Sequence, residues 1–258
     1  MARRRRKQRE RRHRRTGCAA ALIILVILGA GAAYGIPWIM DRFGGQVKET
    51  FSETVEKAVN TLAAEQAGFQ ELTVSAEEVE GSFYYEQLSS EEQLIYRELL
   101  QGVQDMEESI TIHAGRDDRP EKVYEYLLYD RPEFFWCAGS SQMTVYENYT
   151  EFHPGYSCTS EERDQRQIEI DTAVSDCIAG IDPSAGEYDR IRYVYEYLVN
   201  TVNYDENAPD NQNIYSALVG KNSVCAGYSR AAQYLLNNMG IECIYVVGTA
   251  QGQEAHAW

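Results

Sequence analysis

A cysteine and a histidine in the last part of the chain have the types and the spacing of a nucleophile and its base. Ser223 is predicted to cap a helix over 224–239, which places Cys225 in the first helical turn. The free N–H groups and the dipole of that turn favour a thiolate and can also hold an oxyanion. The small residues Ala226-Gly227 are expected to keep the approach to the sulfur open. His256 lies 31 residues after the cysteine and could serve as the base of acyl transfer through a thiol. The alternative is a small buried cysteine at a helix start with an unrelated histidine.

The intervening elements must bring the two side chains together. After the helix over 224–239, Gly240 is the expected stop, because glycine readily adopts the left-handed conformation that ends helices. Residues 241–247 are rich in β-branched and apolar side chains and predict a strand, and 248–254 predict a loop. A second strand begins at His256. Packing of that strand against the start of the helix would join the cysteine and the histidine.

The order of short motifs in the last quarter of the chain resembles the transglutaminase-like superfamily, whose members have a papain-like cysteine-enzyme fold. The resemblance covers about 185–258. The motifs that carry it are Tyr204-Asp205, Ile214-Tyr215-Ser216-Ala217-Leu218, Ser223-Val224-Cys225-Ala226-Gly227-Tyr228-Ser229, Leu235-Leu236, Gly240-Ile241, Val246-Val247-Gly248 and His256-Ala257-Trp258. The segments Glu91-Glu92-Gln93 and Asp130-Arg131-Pro132-Glu133-Phe134-Phe135-Trp136 look like the region before such domains in some bacterial surface proteins.

The resemblance implies roles for individual residues. Cys225 matches the family's nucleophile and His256 its general base. The family's third member, usually an aspartate, follows the histidine on the next strand, so it is expected after residue 258. The sequence is accordingly expected to be a fragment with an incomplete core, inactive as it stands. If the domain were complete, Asp205 and Asp210 would be the carboxylates to consider. Tyr215 and Asn222 are candidates for an oxyanion side chain.

The expected activity is cysteine acyl transfer on peptide or side-chain amides, through a thioester on Cys225. Hydrolysis, by a peptidase or deamidase, is preferred over cross-linking, although no residue decides whether water or an amine resolves the thioester. One alternative is a non-catalytic surface module that keeps the fold to bind protein or cell-wall partners. Another is a structural anchor whose work is done by 41–160. The expected substrate is a protein or a cell-wall peptide.

No cofactor or metal is expected. His113 and His153 have no partners at ligand spacing, so ordinary structural histidines are favoured. Cys137 and Cys158 could form a disulfide or stay as buried free thiols, and the sequence leaves both open.

The region before the nucleophile predicts a small α+β unit. Ser89 and Glu92 have the spacing of a capping box at the start of a helix that runs to about 108. Pro120 suits the first turn of a second helix. Phe134–Trp136 and Met143–Tyr146 are rich in aromatic and β-branched residues and predict strands of a small sheet.

The N-terminal part of the chain predicts a membrane anchor. Residues 1–15 contain nine arginines and one lysine against one glutamate, and the 25 residues 16–40 carry no charge. Such a run can cross the hydrocarbon core, and the positive-inside rule keeps the tail cytoplasmic and the rest extracytoplasmic. The basic tail would also contact anionic membrane lipid. A cleaved signal peptide is the competing interpretation.

Composition narrows the function classes further. The net charge of the 258 residues is −16, and everything after the basic tail is strongly acidic, which disfavours binding of nucleic acid by the main domain.

The predicted fold class is α+β, with an incomplete papain-like, transglutaminase-like core behind a small α+β region and one N-terminal transmembrane helix. The predicted divisions are a basic cytoplasmic tail (1–15), a transmembrane helix (16–40), a juxtamembrane helical stalk (41–68), an α+β region (69–180) and a transglutaminase-like domain (181–258).

Overall fold

The structure is a computed structural model that describes residues 68–116, 118–250 and 254–258, with the backbone alone at Glu254. The predicted tail and transmembrane helix, together with residues 41–67 of the predicted stalk, lie outside the described residues. Within the described ranges, no helix is both long and apolar enough to cross a bilayer. Helices alternate with short, mainly antiparallel strands in this part of the chain, which confirms the predicted α+β class.

The first half of the described chain builds a three-stranded antiparallel sheet with helices beside it. A 3₁₀ turn at Tyr85–Gln87 leads into the following elements: α1 (Ser90–Gln104), β1 (Ile110–Ile112), α2 (Pro120–Asp130), β2 (Cys137–Val145) and β3 (Thr150–Tyr156). The strand order is β1-β3-β2, with Ile110 and Met143 both opposite Phe152 of the central strand. Phe152 is fully buried, so the inner face of the sheet closes on the core.

The starts of both helices follow from the residues that the sequence singled out. Ser89 caps α1 in a complete capping box: its hydroxyl accepts from the Glu92 N–H, and the Glu92 carboxylate accepts from the Ser89 N–H. Pro120 occupies the first turn of α2, where its missing N–H is not needed. Both predictions are confirmed.

The predicted strand at Phe134–Trp136 is wrong, because these residues form successive turns that precede β2. The backbone bonds are local: the Phe134 N–H donates to Arg131 and the Cys137 N–H donates to Phe134. All three aromatic rings are buried. Adjacent side chains of a strand point to opposite faces, so a strand with one buried face could not bury three consecutive side chains. A series of turns can bury all three.

The second half of the described chain contains the elements that carry the candidate site. In order they are α3 (Ser160–Ala179), α4 (Glu187–Thr201), β4 (Asn203–Tyr204), α5 (Ile214–Leu218), β5 (Asn222–Ser223), α6 (Cys225–Asn238), β6 (Val247–Ala250) and β7 (Glu254–Ala257). Strands β4 and β5 pair in parallel, and β6 and β7 pair as an antiparallel hairpin. Gly240 adopts φ +73° directly after α6, as expected for its predicted role as a helix stop.

The predicted strand over 241–247 and the predicted loop over 248–254 need correction. Residues 241–246 are not strand, and the strand begins only at Val247 and continues to Ala250. In the hairpin with β7, Val247 lies opposite Ala257 and Gly248 opposite His256, and the preceding Val246 exchanges two backbone hydrogen bonds with Trp258, both at 2.9 Å. Tyr245, in the segment before the strand, is instead buried against the α+β region.

One hydrophobic core joins the two regions into which the sequence was divided. It includes Leu99 of α1 and Leu127 of α2 as well as Ile170 of α3, Leu218 of α5 and Leu235 of α6. The described residues from Gly68 to Trp258 all belong to a single compact unit. The α+β region therefore stabilises the elements of the candidate site directly.

Candidate active site

Cys225 is the first residue of α6, so it occupies the helical turn that the sequence predicted. The capping residue is Val224, not Ser223, and no side chain caps this helix. Ser223 belongs to β5 and is fully buried, and its hydroxyl donates to the Asn211 carbonyl at 2.7 Å. The prediction of a Ser223 cap is therefore wrong. The capping residue offers no side-chain acceptor to the first turn of α6, and the Tyr204 hydroxyl lies within hydrogen-bonding reach of the Cys225 N–H.

The first turn of α6 packs tightly against the loop before α5. The Val224 N–H donates to the Asn211 carbonyl at 3.1 Å. A Cβ at Gly227 would lie 3.0 Å from the carbonyl oxygens of both Asn211 and Asn213 and would collide with the Ser223 hydroxyl. Gly227 is buried against this loop, and its small size permits the close packing. The expectation that Gly227 keeps the approach to the sulfur open is therefore wrong.

Strand β7 lies against the same turn of α6. Ala257 of β7 forms a buried cluster with Ala226 and Tyr245, and Cys225 packs against that cluster. His256 is half-buried and its ring contacts the edge of Trp258, with 4.8 Å between ring centroids. The structure thus brings the histidine-bearing strand to the cysteine-bearing turn. Within the described residues no hydrogen bond joins the Cys225 sulfur to the His256 ring, so the role of His256 as base stays a prediction.

The two carboxylates considered for His256 make other contacts. Asp205 accepts the Asn207 N–H at 2.9 Å, and Asp210 forms an ion pair with Arg166 at 3.5 Å. Among the side chains that the structure describes, no carboxylate accepts a hydrogen bond from His256. The expected carboxylate beyond residue 258 stays a prediction.

Tyr215 and Asn222, the candidates for an oxyanion side chain, are engaged away from Cys225. The Tyr215 hydroxyl donates to Glu169 at 2.8 Å. The Asn222 amide donates to the Gly220 carbonyl at 2.7 Å and its oxygen accepts from Asn203 at 3.3 Å.

Tyr204 is the polar side chain that the structure places beside the nucleophile. The parallel pairing of β4 with β5 sets Tyr204 opposite Ser223, two residues before Cys225. Its ring stacks on Tyr228 of α6, with 6.2 Å between centroids. Shielding from solvent and the neighbouring Cys225 thiol raise the pKa of Tyr204. Tyr204 occurs in a motif that carried the family resemblance, but only the strand pairing reveals its position.

Tyr245 forms a second wall of the site, and the α+β region holds it in place. The Tyr84 hydroxyl donates to the Tyr245 carbonyl at 2.6 Å, and the Tyr129 ring lies 5.3 Å from that of Tyr245. Burial raises the pKa of Tyr245. No local pattern predicts this contact, because 161 residues separate Tyr84 from Tyr245.

The other described cysteines differ from Cys225 in their surroundings. All of them are free thiols, so Cys137 and Cys158 form no disulfide. Burial raises the pKa of Cys137 to about 12 and that of Cys177 to about 11, and it also raises the pKa of Cys158 and Cys243. These thiols stay protonated at neutral pH.

His113 and His153 make structural contacts. The His113 ring stacks on Phe69, with 3.9 Å between centroids, and pairs with Glu98. The His153 ring contacts the Glu108 carbonyl at 3.0 Å. Within the described ranges, no group of three or more histidine, cysteine, aspartate or glutamate side chains could hold a metal ion.

A helix-initial cysteine with a histidine-bearing hairpin on the same turn is the arrangement expected of a transglutaminase-like domain. Comparison with known families agrees: residues 174–258 match the family described as the transglutaminase-like superfamily. The match includes Cys225 and His256 and confirms the predicted resemblance. No curated protein matches the sequence.

Proposed function

We propose that this chain is a membrane-anchored, extracytoplasmic cysteine acyl-transfer enzyme that acts on peptide or side-chain amides. The observation that supports the proposal is the meeting of two elements. Cys225 begins α6, whose first-turn N–H groups have no side-chain cap, and the strand that carries His256 packs on that turn.

In the first half of the reaction, the Cys225 thiolate attacks the carbonyl carbon of the amide. The carbonyl oxygen takes up the negative charge, and the backbone N–H groups at the start of α6 stabilise it. The Tyr204 hydroxyl, beside Cys225, is a further donor to this oxyanion. The tetrahedral intermediate then breaks its C–N bond, His256 gives its proton to the leaving amine, and an acyl thioester remains on Cys225.

In the second half, His256 takes a proton from water while the water oxygen attacks the thioester. The C–S bond breaks, the acid product leaves and the thiolate is restored. An amine in place of water would give a cross-linked amide by the same steps. We favour water and therefore a peptidase or deamidase, with a protein or a cell-wall peptide as substrate.

A non-catalytic binding module is the second candidate. The observation that favours it is that, within the described residues, no hydrogen bond joins the Cys225 sulfur to the His256 ring. Such a module would retain the fold and bind its partner without forming a thioester.

Thioester formation separates the two candidates. The protein in its full natural length is incubated with a mixed peptide library and hydroxylamine, which converts an acyl thioester into a hydroxamate that mass spectrometry detects. If the protein is an enzyme, we expect hydroxamate products from the wild-type protein and none from Cys225→Ala. Cys243→Ala is the matched control, because it removes a shielded thiol and should leave turnover intact. Peptide binding without hydroxamate in the wild-type chain would favour the module.

We also propose that residues 16–40 anchor the protein, with residues 1–15 in the cytoplasm against anionic lipid. The uncharged length and the adjacent basic tail support this topology. It would place the domain from residue 69 onward outside the cytoplasm, where a wall peptide or a surface protein is accessible.

A further inference from the structure

A cleft of about 320 Å³ lies beside α6, close to its cysteine-bearing end. One wall is the loop Asn211–Asn213, which packs against the first turn of α6. Another wall is apolar and includes Leu128 and Phe135 of the α+β region. Arg230 of α6 brings a positive charge into the lining.

Arg230 has no acidic partner among the described residues. One nitrogen of its guanidinium donates to the Leu128 carbonyl at the C-terminal end of α2, and the group lies 4.5 Å from the centre of the Tyr245 ring. A guanidinium has five N–H donors, so these contacts leave donors for a ligand. The acidic residue of the lining, Asp210, already forms an ion pair with Arg166.

The cleft is connected to the candidate site on two sides. The Asn211 carbonyl accepts the N–H of Val224, the residue before Cys225. Tyr245 contacts Arg230 with its ring and packs in the cluster that Cys225 joins. Five residues separate Cys225 from Arg230 along α6, a rise of about 7.5 Å. A substrate residue next to the attacked amide could span that distance, since an extended chain covers about 3.3 Å per residue.

We infer that this cleft binds a carboxylate of the substrate through Arg230, so that the enzyme selects acidic peptides. The inference rests on the proposed function, because it takes Cys225 as the nucleophile. An arginine fork matches a carboxylate in geometry and charge, and a partly desolvated site strengthens the pairing. The domain is otherwise strongly acidic, which repels acidic peptides at long range, so a local cation is needed to bind one.

Charge-selective alkylation tests the inference without a known substrate. Iodoacetate carries a carboxylate, and iodoacetamide is its neutral analogue. Mass spectrometry of the full chain measures the rate at which each reagent alkylates Cys225. The ratio of the iodoacetate rate to the iodoacetamide rate should fall about two- to threefold in Arg230→Gln, the effect of one charge near 10 Å with partial screening. Arg230→Lys keeps the charge and should keep the ratio. Arg192→Gln removes an exposed arginine of α4 that pairs with Glu196 and should leave the ratio unchanged.

A competition experiment on the wild-type chain tests the same inference without any substitution. Succinate should slow the alkylation of Cys225 by iodoacetamide, and neutral succinamide at equal ionic strength should not. Equal effects of succinate and succinamide would overturn the inference, as would an unchanged rate ratio in a folded Arg230→Gln chain. Failure of the proposed function would be seen separately, as the absence of hydroxamate products from the folded wild-type protein, whatever the ratio of the two alkylation rates.

Discussion

Cys225 differs from the other described cysteines in the environment of its sulfur. Cys137 and Cys177 are shielded from solvent, and their pKa values are raised to about 12 and about 11. Cys225 is half-buried, as Cys137 also is, but unlike the other described cysteines it begins a helix, and the residue that caps this helix makes no side-chain hydrogen bond to it. The positive end of the helix dipole favours an anion there.

We therefore expect iodoacetamide at pH 7 to 8 to label Cys225 first. Burial raises the pKa values of Cys137 and Cys177 well above pH 8, so both thiols stay largely protonated and should react slowly. Because the thiolate is the reactive form, their rates should rise about tenfold for each unit of pH until the pKa is reached. Mass spectrometry of labelled peptides measures the rates. Equal labelling of all three cysteines in a folded chain would contradict the prediction.

Tyr204→Phe should slow the alkylation of Cys225 severalfold at neutral pH. The Tyr204 hydroxyl lies beside the thiol and can donate to the thiolate, and phenylalanine keeps the stacking on Tyr228 while it removes that donor. Tyr195→Phe is the matched control, because Tyr195 is an exposed residue of α4. A faster reaction in Tyr204→Phe would mean that the hydroxyl shields the sulfur and does not stabilise its anion.

Gly227→Ala should destabilise the fold by about 1–3 kcal/mol, the usual cost of excess volume in a packed site. The added methyl group would lie 3.0 Å from the Asn211 and Asn213 carbonyls and collide with the Ser223 hydroxyl. Urea unfolding followed by circular dichroism measures the change. Gly186→Ala is the control, because a Cβ there meets nothing within 4 Å, so a smaller loss is expected. Equal losses at the two positions would show that contact with the loop is not the cause.

At the scale of elements, local signals set the helices more firmly than the strands. Helix α3 begins with a second capping box, in which the Thr159 hydroxyl accepts from the Glu162 N–H and the Glu162 carboxylate accepts from the Thr159 N–H. Such boxes involve residues three apart, so the sequence alone contains the whole interaction. A strand depends on a partner elsewhere in the chain, and for that reason β6 begins where β7 can pair with it.

Thr159→Ala should lower the free energy of unfolding by about 1 kcal/mol, because it removes the cap of α3. The adjacent Ser160→Ala is a matched control: its hydroxyl contacts only the exposed Glu161 carboxylate, at 3.3 Å. Urea denaturation of both variants gives the comparison. A cost for Ser160→Ala as large as that for Thr159→Ala would argue against the capping box as a source of stability.

At the scale of the whole molecule, the α+β region and the region of the family match share one core. Contacts across this core shape the site, because Tyr84 and Tyr129 hold Tyr245, which packs with the cysteine-bearing turn. A change in the first region should therefore alter chemistry in the second.

The proposed topology predicts how intact cells respond to protease. Protease added outside should digest the region after Met40 and spare residues 1–15, and a carbonate wash should leave the protein in the membrane. A cleaved signal peptide would instead yield a chain that lacks its first residues, which mass spectrometry of the purified protein would reveal. Digestion of the tail alone would contradict the proposed orientation.

The sequence by itself predicted the α+β class and the limits of several helices, and it nominated two groups for chemistry. A capping box, a first-turn proline and a stop glycine are local patterns, so Ser89, Pro120 and Gly240 could be assigned without a structure. Cys225 and His256 could be nominated because Cys225 was expected in the first turn of a helix and both residues lie in motifs that resemble the transglutaminase-like superfamily.

Only the tertiary structure decided the surroundings of these groups. The three consecutive aromatic residues at 134–136 have the composition of a strand, and only their backbone hydrogen bonds show that they form turns. Ser223 is an ordinary cap by residue type, but strand pairing buries it and directs its hydroxyl to Asn211. The sequence around Tyr204 and Tyr245 contains no local sign of their contacts with the cysteine-bearing turn, because those contacts join residues distant in the chain. Strand pairing and packing depend on such long-range contacts, and a pattern of neighbouring residues does not contain them.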